Sequence, residues 1–90
     1  MRQLVLETFE IENRGTLIVV ASATNLPVGK VLRATVTNPD GSQFQTDAFK
    51  EWLLRRNPAP VELEAYLLRG VSIGSVRTGA EVECVVPQQP

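Results

Sequence analysis

Apolar and polar positions alternate with a period of two along most of the chain, which predicts short strands rather than helices. Over Leu4 to Ile11, an extended reading puts Val5, Glu7, Phe9 and Ile11 on one face and Leu4, Leu6, Thr8 and Glu10 on the other. Asn13-Arg14-Gly15 supplies a turn, because Asn and Gly tolerate positive φ. The β-branched run Thr16-Leu17-Ile18-Val19-Val20-Ala21 suits a strand covered on both faces. Asn25-Leu26-Pro27-Val28-Gly29 interrupts the pattern, and Val31 to Thr37 resumes it. Asn38-Pro39-Asp40-Gly41 is the clearest turn in the chain: Pro presets φ, and Gly takes the left-handed position that lets Ser42 to Thr46 return as a hairpin.

Residues 47–57 admit two readings. Asp47 fits the cap of one short helical turn, with Phe49, Trp52 and Leu53 at helical spacing. A strand through Ala48, Lys50, Trp52 and Leu54 fits as well. Pro58 and Pro60 end the segment in both cases. Val61 to Leu68 returns to β, Gly70 and Gly74 mark turns, Glu81 to Val86 forms a last strand, and residues 87–90 make a frayed tail. Six or seven short strands without a repeat predict an all-β fold, a small antiparallel barrel filling residues 1–86 as a single domain.

Composition narrows the function classes. Ninety residues hold one core and leave little room for a deep enclosed site. The formal charge of −1 argues against generic nucleic-acid binding by phosphate neutralisation alone. Histidine is absent, so Ser-His-Asp and Cys-His arrangements cannot be assembled. The single cysteine, Cys84, excludes an internal disulfide and multi-cysteine zinc patterns, and its strand-like neighbours mark it as an inert buried thiol. Lack of a disulfide framework points to the cytoplasm. The apolar run at the N-terminus stops at Glu7, unlike a signal peptide, and Leu17 to Ala21 is too short to span a bilayer. No membrane, metal, cofactor or nucleotide is expected.

Two segments carry a resemblance. Phe9-Glu10-Ile11-Glu12-Asn13-Arg14-Gly15-Thr16-Leu17 resembles the Phe-x-Ile-x-Gly-Arg-Gly-Thr-Val opening of domain II in the translational GTPases, the elongation factor Tu family. Tyr66-Leu67-Leu68-Arg69-Gly70-Val71, followed by Val76-Arg77-Thr78-Gly79 and Val82, is similar to the Leu-Leu-Arg-Gly-Ile … Val-x-x-Gly-x-Val signature that closes that domain. Leu26-Pro27-Val28-Gly29-Lys30-Val31 stands where the family has a Val-Gly-Asp turn. The resemblance spans residues 5–86 and implies a closed six-stranded Greek-key barrel. It also implies what is missing. The family's acidic pair becomes Leu6 and Glu7, its Thr becomes Val19, and its Ala-Gly-Asp-Asn stretch becomes Pro60-Val61-Glu62-Leu63, which speaks against capture of an aminoacyl end. No phosphate-binding Gly-x-x-x-x-Gly-Lys-Ser/Thr loop occurs, and with Met1 read as the start the barrel is expected to stand apart from a GTPase domain.

Candidate binding residues are arginines and one aromatic. Trp52 with Arg55 and Arg56 would form a stacking and phosphate-contacting patch, or else an amphipathic segment whose Trp packs on the barrel. Arg14, Arg33, Arg69 and Arg77 are further candidates, since Arg outnumbers Lys seven to two and suits bidentate contacts. Arg69 also reads as a buttress of the closing strand. The alternating carboxylates Glu7, Glu10 and Glu12, and Glu62 and Glu64, match the solvent face of a sheet rather than a catalytic pair. Leu4, Leu6 and Leu26 read as core or as a docking patch. The expectation is a non-catalytic binding or adaptor module that docks on RNA, the ribosome or a translation factor. The alternative is a protein–protein or self-associating accessory module.

Overall fold

A computed structural model describes residues 2–21, 26–51 and 64–87. Its strands are β1 (Gln3–Ile11), β2 (Gly15–Val20), β3 (Val31–Thr37), β4 (Gln43–Glu51), β5 (Glu64–Arg69) and β6 (Glu81–Val85), with one 3-10 turn at Ile73–Ser75. They close into a barrel in the order β1-β2-β5-β4-β3-β6, and every strand pairing is antiparallel. The β2–β3 and β5–β6 connections both pass over intervening strands, as in a Greek key.

Alternation creates the interior. Leu32, Ala34 and Val36 point inward while Val31 and Arg33 face out, and the inward set meets Ile18, Val20, Tyr66 and Leu68 from β2 and β5. Burying each large apolar side chain contributes about 1.5–3 kcal/mol, the main term holding so small a barrel together. On β2 the outward Val19 is as buried as its inward neighbours, so the cover on both faces that the apolar run predicts is reached at Val19, while Leu17 on the same outer face is only half-buried. The thiol of Cys84 also lies inside, and burial, then the nearby Glu64 charge, pushes its pKa up to about 12.

One expectation changes and one open reading is decided. The faces of β1 do not persist along the strand: Val5 lies opposite Val20 but Glu7 lies opposite Val19, so Leu6 is an extra residue. Beyond this bulge Thr8 and Glu10 take over the inward parity, and Phe9 turns outward with 45% of its surface exposed. The neighbouring loop favours the bulge, because the Val5 N–H donates to the Ala80 carbonyl (2.8 Å) and the Val5 carbonyl accepts from the Gly79 N–H (2.9 Å). Of the two readings of residues 47–57, the structure decides for the strand over residues 47–51. Asp47 does not cap a helix but reaches Arg33 across the ladder at 3.2 Å. A strand wins here because β4 sits between β3 and β5 and bonds to both, which outweighs a local helical spacing. Residues 52–57 lie outside the described residues.

The Asn38–Gly41 turn forms as predicted, with Gly41 at φ 90° and its N–H donating to the Asn38 carbonyl at 2.9 Å. The Asn38 side chain then reaches further. Its amide donates to the Ser75 carbonyl (2.9 Å) and its oxygen accepts from the Arg77 N–H (3.0 Å), which fastens this hairpin to the β5–β6 connection.

Candidate functional site

The two segments that carry the family resemblance lie far apart in the chain but meet at one corner of the barrel. Asn13 adopts φ 63°, the left-handed turn position, and the Arg14 N–H donates to the Ile11 carbonyl at 3.0 Å. Gly15 follows at φ 138°, where a Cβ would overlap the Leu68 carbonyl oxygen and come within 2.8 Å of the Gly70 nitrogen. Only glycine lets β2 approach β5 this closely. The Gly70 N–H donates to the Arg14 carbonyl (2.9 Å), and the Thr16 hydroxyl, fully buried, donates to the Val71 carbonyl (2.8 Å). The Asn-Arg-Gly-Thr and Leu-Arg-Gly-Val segments are therefore two halves of one interlocked turn.

A groove of about 590 Å³ runs beside this corner. Phe49 and Leu67, cross-strand neighbours on the outer face of β4 and β5, form its apolar floor. Arg14, Arg69 and Glu51 stand along it, with Gly29 at its far side. Arg14 reaches Glu51 at 3.5 Å, whereas Arg69 is exposed and has no ion-pair partner among the described residues. An apolar floor with a guanidinium at the rim suits a ligand that presents a flat or apolar group beside an anion.

The remaining candidates are dispersed. Arg77 is exposed at the Asn38 turn and does not line the groove. There the Asp40 carboxyl is held below its usual range by the Ser42 hydroxyl (2.6 Å) and the Ser42 N–H (2.9 Å), with a smaller contribution from Arg77. Arg33 is paired with Asp47 across the β3–β4 ladder and does not line the groove. Trp52, Arg55 and Arg56 lie outside the described residues; in the chain they follow directly on Glu51, which borders the groove. Leu4 and Leu6 are exposed on β1, while Leu26 packs against the core, so the three do not share one patch. Among the described residues no group of three or more acidic, His or Cys side chains is placed to hold a metal ion. No helix among them is long and apolar enough to cross a membrane.

One polar cluster escaped the sequence reading. Glu64, assigned there to a solvent face, is 7% exposed and points into the barrel. Lys50 meets it at 2.8 Å, the Tyr66 hydroxyl donates to it at 2.7 Å, and the Lys50 ammonium also donates to the Leu26 carbonyl at 3.0 Å. Parity carried the signal: Glu64 shares its face with Tyr66 and Leu68, the most apolar positions of β5, so a buried partner was required. Comparison of the chain with protein-family models, with curated proteins and with solved structures finds no match.

Proposed function

We propose that this barrel is a non-catalytic binding or adaptor module, resembling domain II of the translational GTPases, that docks on a ribosomal, RNA or translation-factor surface of the cytoplasm. The observation that carries this reading is the shared corner: the residues of both family-like segments line one groove, with Arg14 and Arg69 at its rim. Arg69 is available for a bidentate contact to phosphate, and the half-buried Phe49 offers apolar surface beside it. Trp52, Arg55 and Arg56, the aromatic and cationic candidates of the sequence, follow Glu51 in the chain and are tested with them.

The test is recovery of RNA and ribosomes on immobilised wild type, an Arg14→Glu/Arg69→Glu variant and an Arg55→Glu/Arg56→Glu variant, across a salt series. Both variants should lose binding. Each phosphate contact should contribute about −0.7 to the slope of log K against log salt on a single strand. Retention by both charge-reversed proteins would overturn the reading. A second reading, docking on a protein or on another copy of the chain, is favoured by the apolar floor and by the pairing of Arg14 with Glu51. It predicts association that changes little with salt.

A further inference from the structure

The turn between β3 and β4 carries a covalent chemistry of its own. Asp40-Gly41 is the one step in the chain where aspartate precedes glycine, and no asparagine does so. At such a step the glycine nitrogen attacks the side-chain carboxyl, because glycine has no side chain to shield it. The N–Cγ bond forms, the nitrogen gives up its proton and the carboxyl loses a hydroxyl. One water leaves and a five-membered succinimide ring remains. Water then reopens the ring at either carbonyl, which returns aspartate or leaves an isoaspartyl link running through Cβ and Cγ. The turn meets the requirements of space and water: Asp40, Gly41 and Ser42 are exposed, and nothing lies within 4 Å of where a Gly41 Cβ would stand.

The folded turn also opposes the reaction. The Asp40 Oδ1 accepts from the Ser42 hydroxyl (2.6 Å) and from the Ser42 N–H (2.9 Å). Both bonds hold the side chain towards Ser42 and favour the ionised carboxylate, which must take up a proton before a hydroxyl can leave. The attacking nitrogen is engaged as well, since the Gly41 N–H donates to the Asn38 carbonyl at 2.9 Å. Asn38 is itself fixed, its side chain bonding the Ser75 carbonyl (2.9 Å) and the Arg77 N–H (3.0 Å). Asp47, the other aspartate, precedes Ala48, which is fully buried in β4.

We propose that Asp40-Gly41 is a site of self-modification to isoaspartate, held in check in the folded chain by the Ser42 hydroxyl. An isoaspartyl link adds one atom to the backbone between β3 and β4. It thereby displaces the Gly41 N–H from Asn38 and loosens the Asn38 anchor on the β5–β6 connection. The site is separate from the Arg69 groove and does not rest on RNA binding there.

The test compares the full-length wild type, Ser42→Ala, Ser42→Thr and a free peptide of the sequence Thr37 to Phe44. All are held at neutral pH in heavy-oxygen water, then digested, and the aspartyl and isoaspartyl peptides are separated and weighed. Folded wild type should isomerise about tenfold more slowly than the peptide, since the turn must open locally first. Ser42→Ala should isomerise several-fold faster than wild type, and Ser42→Thr, which keeps the hydroxyl, should return to the slow rate. The isoaspartyl product should carry one heavy oxygen, as ring opening by water requires, and Asp47 should stay unmodified. Amide exchange at the buried Val36 and Val82 should be as slow in Ser42→Ala as in wild type, which separates release of Asp40 from opening of the barrel. Wild type as fast as the peptide, Ser42→Ala no faster than wild type, or Ser42→Thr as fast as Ser42→Ala would each overturn the proposal. So would a product without heavy oxygen, or a rise in rate that tracks faster exchange at Val36 and Val82.

Discussion

Replacing Lys50 by methionine keeps the length and apolar stem of the side chain and removes only the ammonium. In the folded protein that ammonium is 2.8 Å from Glu64 and 3.0 Å from the Leu26 carbonyl, with the two charged side chains 14% and 7% exposed. Lys50→Met therefore leaves the Glu64 carboxylate inside the barrel without its Lys50 counter-charge. Removing one partner of a buried pair costs about 3–5 kcal/mol, because the remaining charge has lost its water and its counter-ion together. A chain of this length has a total stability on the order of 5–13 kcal/mol, so the loss is a large share of it. Adding Glu64→Gln should restore much of the difference, since the amide carries no charge and its oxygen still accepts from the Tyr66 hydroxyl. As a control, Arg33→Met breaks an exposed pair and should cost no more than about 1 kcal/mol. Equilibrium urea unfolding followed by far-ultraviolet circular dichroism measures all four proteins. If Lys50→Met costs as little as Arg33→Met, or if the double variant is less stable than the single one, the pair is not the desolvated interaction argued here.

Two further outcomes follow from other parts of the fold. Gly15→Ala should destabilise by about 3 kcal/mol or more, since alanine adds both a strained positive φ and an overlap with the Leu68 backbone; a loss below 1 kcal/mol in thermal unfolding, about the cost of a generic surface change, would contradict the close approach. Cys84 should resist a thiol reagent at pH 8 until the chain unfolds, because its pKa is pushed up to about 12 against an ordinary 9.0. A raised thiol pKa favours the protonated folded form, so this contribution is fully present below pH 9 and is lost as the pH rises towards 12. Urea titrations between pH 8 and 11 should show Cys84→Ala losing less stability over that range than wild type; equal slopes would refute the assignment.

The barrel was legible wherever a local pattern and its tertiary use agree. The alternation over Val31–Thr37 and the Asn38–Gly41 turn each state their structure within a few residues, and both form as read. The segment 47–51 was not legible, because its helical and extended patterns are equally good locally and only β3 and β5 on either side decide. The candidate site divides in the same way. Arg14 and Arg69 were singled out as arginines suited to bidentate contacts, yet their juxtaposition is a property of the β2–β5 ladder, and Arg77, picked by the same criterion, lies elsewhere. Glu64 was misplaced because an alternating carboxylate reads as solvent-facing until the parity of its own strand is compared with Tyr66 and Leu68.

By itself, the sequence determined the class of fold, since a period of two punctuated by Gly, Asn and Pro leaves few alternatives to short antiparallel strands. It also determined that Gly15 and Asn13 sit where the backbone turns left-handed, because no long-range contact is needed to read that preference. Tertiary structure alone decided which strands are neighbours and where the Leu6 bulge reverses the faces of β1. The physical reason is that register and closure are set by hydrogen bonds and packing between residues distant in the chain. A single extra residue there exchanges the inside of a strand for its outside, with no trace in the local alternation.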